Sequence, residues 1–232
     1  MSLRVLITGG NRGLGLEMVR QYLSAGDRVF ATTRSPQPAG SELAQLQAAH
    51  PEQLTVVTLD VADEAALPGA VAAVRAHTPA LDILVNNAGI TRRGLTLGHY
   101  TGAALMEVLQ TNAVAPFLVA QAFVDLLRAG QTPRVINISS QVGSFTWNQR
   151  GMSPLYAASK AALNMYTRSF ASEATGIIAI AVHPGWVQTD MGGPSAPLTP
   201  PQSVQKLREL FARLAPADSG AFFNYDGNHH PY

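Results

Sequence analysis

Short apolar runs alternate with helical patterns along almost the whole chain. Residues 3–7 form an apolar run that ends in a glycine-rich turn and predict a buried strand. Over residues 13–25, Leu14, Leu16, Val19, Tyr22 and Leu23 recur at helical spacing, and Gly26 supplies a C-terminal stop. Residues 28–32 predict a second strand, 41–50 a helix and 54–59 a third strand. A helix over about 64–77 follows, with Pro68 blurring its start, and then a fourth strand over 81–85. The second half keeps the rhythm. A long helical pattern runs over 101–128 with Pro116 as a kink or register break, and strand 134–138 and helix 154–175 come next. Strand 177–182, a helix over 202–214 and a short last strand over 221–225 complete the series.

Strands that are apolar throughout and alternate with helices predict a parallel sheet covered on both faces. The expected architecture is α/β: a Rossmann-type, doubly wound, mainly parallel sheet of seven strands in a single domain over residues 1–232. Ligands of such sheets bind beyond the carboxyl ends of the strands, so chemistry is expected in the residues that follow each strand.

Composition narrows the function classes. Of 232 residues 47% are apolar, and 16 Lys+Arg against 15 Asp+Glu leave a net charge of +1. That balance argues against a nucleic-acid partner held by a broad basic field, and leaves room for a local phosphate pocket. The chain has no cysteine, which removes thiol catalysis, disulfides and thiolate metal sites and makes a cytoplasmic location the expectation. The apolar run after Arg4 is too short for a signal peptide. Uninterrupted apolar stretches such as 177–182 fall short of the roughly 18 residues of a membrane span, so no membrane partner is expected. His229 and His230 have no carboxylate cluster beside them, His183 is expected to pack in a loop, and no metal is expected.

Between the first strand and the first helix stands Thr8-Gly9-Gly10-Asn11-Arg12-Gly13-Leu14-Gly15. Glycine permits positive φ and leaves no Cβ in the way of a phosphate, and a helix N-terminus offers free N–H groups and partial positive charge. Gly9, Asn11, Arg12, Gly13, Leu14 and Gly15 are therefore candidate pyrophosphate-binding residues. The spacing G-x-x-x-G-x-G differs from the commoner G-x-G-x-x-G, and alone it also suits a strand–helix turn without a ligand.

With this turn the sequence resembles the short-chain dehydrogenase/reductase family, and the resemblance recurs along nearly the whole chain. Asp60-Val61 follows the third strand, Asn86-Asn87-Ala88-Gly89 the fourth, and Asn112 sits in the long helix. Ser139-Ser140 closes the fifth strand, Tyr156-Ala157-Ala158-Ser159-Lys160 opens the next helix, and Pro184-Gly185 follows the sixth strand. The segments 183–200 and 220–227 resemble more narrowly the sniffer-like and C-factor-like branch of single-domain carbonyl reductases.

The cofactor expectation rests on residues and resemblance together. In Rossmann-type folds an acid after the second strand holds the ribose 2′-OH of NAD, whereas an arginine accommodates the 2′-phosphate of NADP. Here that region reads Ala31-Thr32-Thr33-Arg34-Ser35, without an acid. Arg12 lies close to the same pocket in the family's geometry, and two guanidinium groups suit a phosphate dianion. NADP(H) is the expected cofactor. The resemblance further implies Asp60 and Val61 against adenine, Asn87, Ala88 and Gly89 along the adenosine ribose side, and Asn86 as a sheet-edge stabiliser. It puts Pro184, Gly185, Val187, Thr189 and Met191 at the nicotinamide, with Thr189 bonding the carboxamide.

The same resemblance implies the catalytic set. Carbonyl reduction needs a hydride and a proton for the growing alkoxide. Tyr156 is the implied general acid, and Lys160, one helical turn on, favours tyrosinate and holds the nicotinamide ribose. Ser140 binds the substrate oxygen as an oxyanion donor does, and Asn112 anchors a water that links Lys160 to solvent. Ser140 and Tyr156 are 16 residues apart, wider than the family usually has. The extra length enlarges a loop over the substrate pocket, where Phe145, Trp147 and Met152 either line the pocket or pack the loop down. The Pro/Gly-rich stretch 191–201 is expected to be a flap.

The leading expectation is an NADP(H)-dependent enzyme that reduces ketones, aldehydes or quinones or oxidises the corresponding alcohols. The rival is a nucleotide-binding signalling protein of C-factor type on the same fold. By analogy with many relatives, the helices around Asn112 and Tyr156 build a homodimer or homotetramer.

Overall fold

The computed structural model of the chain describes residues 2–232. In chain order its main elements are β1 (Arg4–Ile7), α1 (Gly13–Ser24), β2 (Arg28–Thr33), α2 (Glu42–Ala49) and β3 (Leu54–Thr58). They continue with α3 (Leu67–Arg75), β4 (Ile83–Asn86), α4 (Gly102–Leu109), α5 (Ala115–Ala122), α6 (Val124–Arg128) and β5 (Arg134–Ile138). The last are α7 (Pro154–Glu173), β6 (Ile178–His183), α8 (Pro200–Arg213) and β7 (Phe222–Asn224). The seven strands form one sheet in the order β3-β2-β1-β4-β5-β6-β7, and every pair is parallel. The strand order reverses between β1 and β4, which is where a doubly wound sheet opens its binding crevice.

Successive strand residues point to opposite faces, and both faces are covered. Val5, Ile7 and Val29 pack under α1, α2 and α8 with Val19, Tyr22, Leu43, Leu207 and Phe211. Leu6, Phe30 and Leu84 pack under α3, α5, α6 and α7 with Val74, Val119, Phe123 and Phe170. This two-sided burial is why the strands read as unbroken apolar runs rather than as an alternation.

Element boundaries differ from the sequence expectation where proline or a polar cap decides. The expected helix over 64–77 is a 3₁₀ turn at Glu64–Ala66 followed by α3, with Pro68 in its first turn, where a missing N–H costs nothing. The helix expected from 202 starts at Pro200, because the Thr199 N–H donates to Gln202 Oε1 at 2.9 Å in a capping arrangement. The expected long helix is three helices, with a π-helical turn at Gln110–Val114 between α4 and α5 and a break at Phe123 before α6. Averaged over its length, the run Gly102–Ala122 is long and apolar enough to cross a membrane. The sequence reading missed this because Gln110, Thr111 and Asn112 interrupt the run. In the fold, Asn112, Ala113, Ala115, Pro116 and Val119 on that run are buried in the protein.

Candidate active site

The glycine turn is fixed by its own backbone and by the end of β4. Gly9 and Gly13 have φ of +67° and +54°, in the left-handed region that favours glycine. A Cβ on Gly10 would sit 2.8 Å from the Ala31 Cβ, and one on Gly15 would run into the Gly9 carbonyl oxygen. The Thr8 hydroxyl accepts from the N–H groups of Asn87 and Ala88, both at 3.0 Å. Asn87 Nδ2 donates to the carbonyls of Thr8 and Gly9 at 2.9 and 3.1 Å. The Asn87 side chain is thus committed to bracing the turn.

Arg12 is the N-cap of α1 and its side chain makes no cap bond. The N–H groups of Gly13, Leu14 and Gly15 therefore have no protein acceptor among the described residues and face the crevice as a ready anion cradle. Arg34 follows β2 directly, is exposed, and makes no ion pair among the described residues. No acid stands beside it in the stretch 31–35. This uncapped helix start, with an arginine and no carboxylate at the end of β2, fits a dinucleotide that carries a 2′-phosphate. Asp60 Oδ1 accepts from the Ala62 N–H at 3.0 Å and shapes the turn after β3, and Val61 is buried beside it.

The catalytic candidates converge at the ends of β4 and β5. Asn112 is wholly buried. Its Oδ1 accepts from the Ile90 N–H at 2.8 Å, and its Nδ2 donates to the Ile90 carbonyl at 2.8 Å and to Ser159 Oγ at 3.0 Å. Ser159 in turn donates to the Tyr156 carbonyl at 2.8 Å, which ties the loop after β4 to the first turn of α7. In a regular α-helix the Asn112 carbonyl would accept from residue 116, but Pro116 has no N–H, and the chain adopts the π turn there.

Lys160 is buried, and its Nζ donates to the Ile138 carbonyl at 2.7 Å and lies 5.5 Å from the Tyr156 ring centre. Burial pulls the ammonium down to about 7. Burial also pushes the Tyr156 phenol up to about 12, with the Ser140 hydroxyl pulling it back in part. In the free protein, then, Lys160 does not offset the burial of Tyr156: the phenol is neutral near pH 7 and holds the proton that an acid must give.

The neighbouring Ser139 has a different task. Its hydroxyl donates to Asn164 Oδ1 at 2.6 Å inside the fold, which leaves Ser140, facing the phenol, as the serine of the site. Ser140 also caps the 3₁₀ turn Gln141–Gly143, although at 3.4 Å its bond from the Val142 N–H is long. A Cβ on Gly143 would come within 2.7 to 2.9 Å of Lys160 and Ala161, so only glycine lets this turn seat on α7.

The rim is looser. Pro184 and Gly185 follow β6, and Gly185 has φ of +84° with Leu198 and Tyr225 packed where a side chain would go. Val187 is buried and bridges to Leu198, and the Gln188 N–H donates to the Leu198 carbonyl at 2.8 Å. The Thr189 hydroxyl accepts from the Gly192 N–H at 3.1 Å, so it is occupied within its own loop. Met191 is partly exposed, and its carbonyl accepts from Arg93. In the loop after β5, Phe145 is 85% exposed and Trp147 and Met152 are also exposed; none of the three is buried to pin the loop down.

The sequence expectation thus finds Ser140, Tyr156, Lys160 and Asn112 in one cluster beside the glycine turn, Ala88 and Gly89. It quoted Thr8 in the turn without giving its hydroxyl a task, and it did not find the bracing role of Asn87 or the seat of Gly143. Asn86, expected at a sheet edge, is buried on a central strand, with Nδ2 donating to the Pro116 carbonyl at 3.0 Å and to Asn137 Oδ1 at 2.8 Å. Only the glycine at 143 was open to sequence reasoning, as a small residue three places after the serine.

Comparison with known proteins agrees with this geometry. The family model for short chain dehydrogenase matches residues 4–197. The chain is 40% identical over 157 residues to the C-signal protein of Myxococcus xanthus, covering 67% of this chain and 95% of that one. Over the full length of both chains it is 38% identical to the NADPH-bound carbonyl reductase from chicken fatty liver, with a TM-score of 0.92. The carbonyl reductase Sniffer of D. melanogaster is 34% identical, again over the whole of both chains, with a TM-score of 0.94. On the family model and on these relatives alike, the chain belongs to the short chain dehydrogenase family.

Proposed function

We propose that the protein is an NADP(H)-dependent carbonyl reductase acting on a ketone, aldehyde or quinone, and on the corresponding alcohol in reverse. The observation that carries this reading is the cluster of Ser140, Tyr156 and Lys160 beside an uncapped helix start, with Arg12 and Arg34 nearby and no acid after β2. Bound NADPH supplies the hydride. The glycine turn and the first N–H groups of α1 hold its pyrophosphate, and Arg12 and Arg34 hold the 2′-phosphate. The Ser140 hydroxyl donates to the substrate oxygen and stabilises the charge that develops there, while Tyr156 gives that oxygen its proton. Lys160 moves from the Ile138 carbonyl to the ribose hydroxyls, and the Asn112 carbonyl, freed by Pro116, holds the water that resupplies the proton. The exposed faces of α4 and α7, with Leu105, Met106, Met165 and Tyr166, are the surface through which two copies associate.

Titration with NADPH and NADH by nicotinamide fluorescence tests the cofactor half of the reading. We expect NADPH to bind at least tenfold more tightly, about 1.4 kcal/mol; equal affinities would remove the roles given to Arg12 and Arg34. A second reading, a nucleotide-binding signalling protein, is favoured by the 40% identity to the C-signal protein. Ser140→Ala separates the two, since it abolishes reduction and leaves a signalling role intact.

A further inference from the structure

Arg12 does not reach toward Arg34. Its Nη1 donates to Asp190 Oδ2 at 3.0 Å, with the two side chains 73% and 80% exposed. The sheet order makes the direction informative. Arg34 follows β2, one strand to one side of β1, whereas Asp190 follows β6, three strands to the other side. The glycine turn lies between them, so one guanidinium cannot serve the end of β2 and the loop after β6 at once.

The loop that Asp190 belongs to rests on the turn. A Cβ on Gly13 would lie 3.4 Å from the Thr189 methyl. The loop is also held from the opposite wall by Arg93, which donates to the Met191 carbonyl, and from within by Trp186 Nε1, which donates to the Gly192 carbonyl at 2.8 Å. Of these tethers only the Arg12–Asp190 pair uses a residue to which a second anion lays claim.

We infer that Asp190 determines cofactor discrimination by competing with the 2′-phosphate for Arg12, so that a phosphate-bearing cofactor must unlatch the loop after β6 to take the arginine. The inference rests on the phosphate role given to Arg12 above. NADPH breaks the Arg12–Asp190 pair on binding, and NADH, which has no 2′-phosphate, leaves it in place. Discrimination in favour of NADPH is therefore held below what the two arginines alone would give. The charge of Asp190 acts on the pyrophosphate of both cofactors alike, so that effect cancels in the ratio of affinities.

The test is a cycle of dissociation constants for NADPH and NADH with the wild-type protein, Asp190→Asn, Arg12→Gln and the double variant. Both residues are exposed, so the variants are expected to fold. Because the pair is solvent-exposed, the expected effect is modest: Asp190→Asn raises the preference for NADPH over NADH about two- to fivefold. In the Arg12→Gln background the same substitution leaves the preference unchanged. A lowered preference for NADPH would mean that Asp190 and the phosphate share Arg12, and would overturn the inference. So would equal gains for both cofactors, or an undiminished gain without Arg12. A wild-type protein with no preference for NADPH overturns the role of Arg12 itself and this inference with it, whereas wild-type preference with an inert Asp190→Asn overturns only the latch.

Discussion

Asn112 and Arg12 both tie together segments that border the same crevice, and they do so in opposite ways. Asn112 is wholly buried, and its amide makes three bonds that join the loop after β4 to α7. Arg12 is largely exposed and makes one ion pair to the loop after β6. The first pattern recurs through the floor of the site, where Asn87 braces the glycine turn and Asn86, Asn137 and Thr167 form a buried polar ladder. The second recurs around the rim, in Arg93 on Met191 and in the exposed Phe145 and Trp147. Buried amides are costly to leave unpaired, so the floor persists in one arrangement before any ligand arrives. Exposed pairs are worth little, so the rim is free to follow the ligand. Under the proposed function, proton transfer needs groups held in fixed positions, and Ser140 and Tyr156 stand on this floor.

The contrast predicts a gradient of mutational effects. Asn112→Ala, on the floor, loses three hydrogen bonds and should cost about 3 kcal/mol, lowering Tm by about 6–12 °C. Arg12→Gln at the rim should cost less than about 1 kcal/mol. Equal shifts for the two in thermal melts would erase the distinction. Gly143→Ala places a methyl against the backbone of Lys160 and should cost about 1–3 kcal/mol. Because it displaces Ser140 relative to Tyr156, kcat should fall while the affinity for NADPH holds. A variant that lost cofactor binding and kept kcat would contradict the seating role of Gly143.

A pH dependence comes next in size. Burial, helped by the neighbouring His230, pulls His183 at the end of β6 down to about 4 from the ordinary value of 6.5. Between those values the unfolded chain holds a proton that the folded one lacks, so stability falls as pH drops through this window. The slope from this group approaches about 1.4 kcal/mol per pH unit. Denaturant melts over the window should show it, and His183→Gln should flatten it; an unchanged slope would mean that other groups carry the acid sensitivity. The smallest effect is expected at the outer rim. Phe145→Ala should change stability by less than about 0.5 kcal/mol and act, if on anything, on the KM for a bulky carbonyl substrate. A larger loss of stability would show that this side chain packs the loop down after all.

The sequence made the floor partly legible. Glycines at 9, 13 and 15 are readable because few residues tolerate positive φ or a backbone pressed against a backbone, whereas Tyr156 and Lys160, a spacing common on surface helices, are readable only through the resemblance to the family. What was not legible depends on distant segments meeting. Nothing near Asn87 in the chain shows that its amide faces the carbonyls of Thr8 and Gly9, and nothing near Arg12 shows that Asp190 lies within its reach. The π turn was half legible: Pro116 announced a break, while its consequence for the Asn112 carbonyl needed the helix register. The start of α8 was placed two residues late because Pro200 and Pro201 were assigned to the flap 191–201, whereas in a first turn prolines are well suited.

The most direct test of the account is single-turnover oxidation of bound NADPH by an aromatic ketone or quinone, comparing the wild-type protein with Tyr156→Phe at saturating cofactor. The phenylalanine keeps the ring that packs near Lys160 and removes only the proton-bearing oxygen. The account predicts NADPH affinity within about a factor of two of wild type and a rate lower by about 10²–10⁴, the range for loss of a general acid. A Tyr156→Phe protein that turned over at the wild-type rate would contradict the assignment of Tyr156 and, with it, the reading of the buried cluster as the catalytic floor.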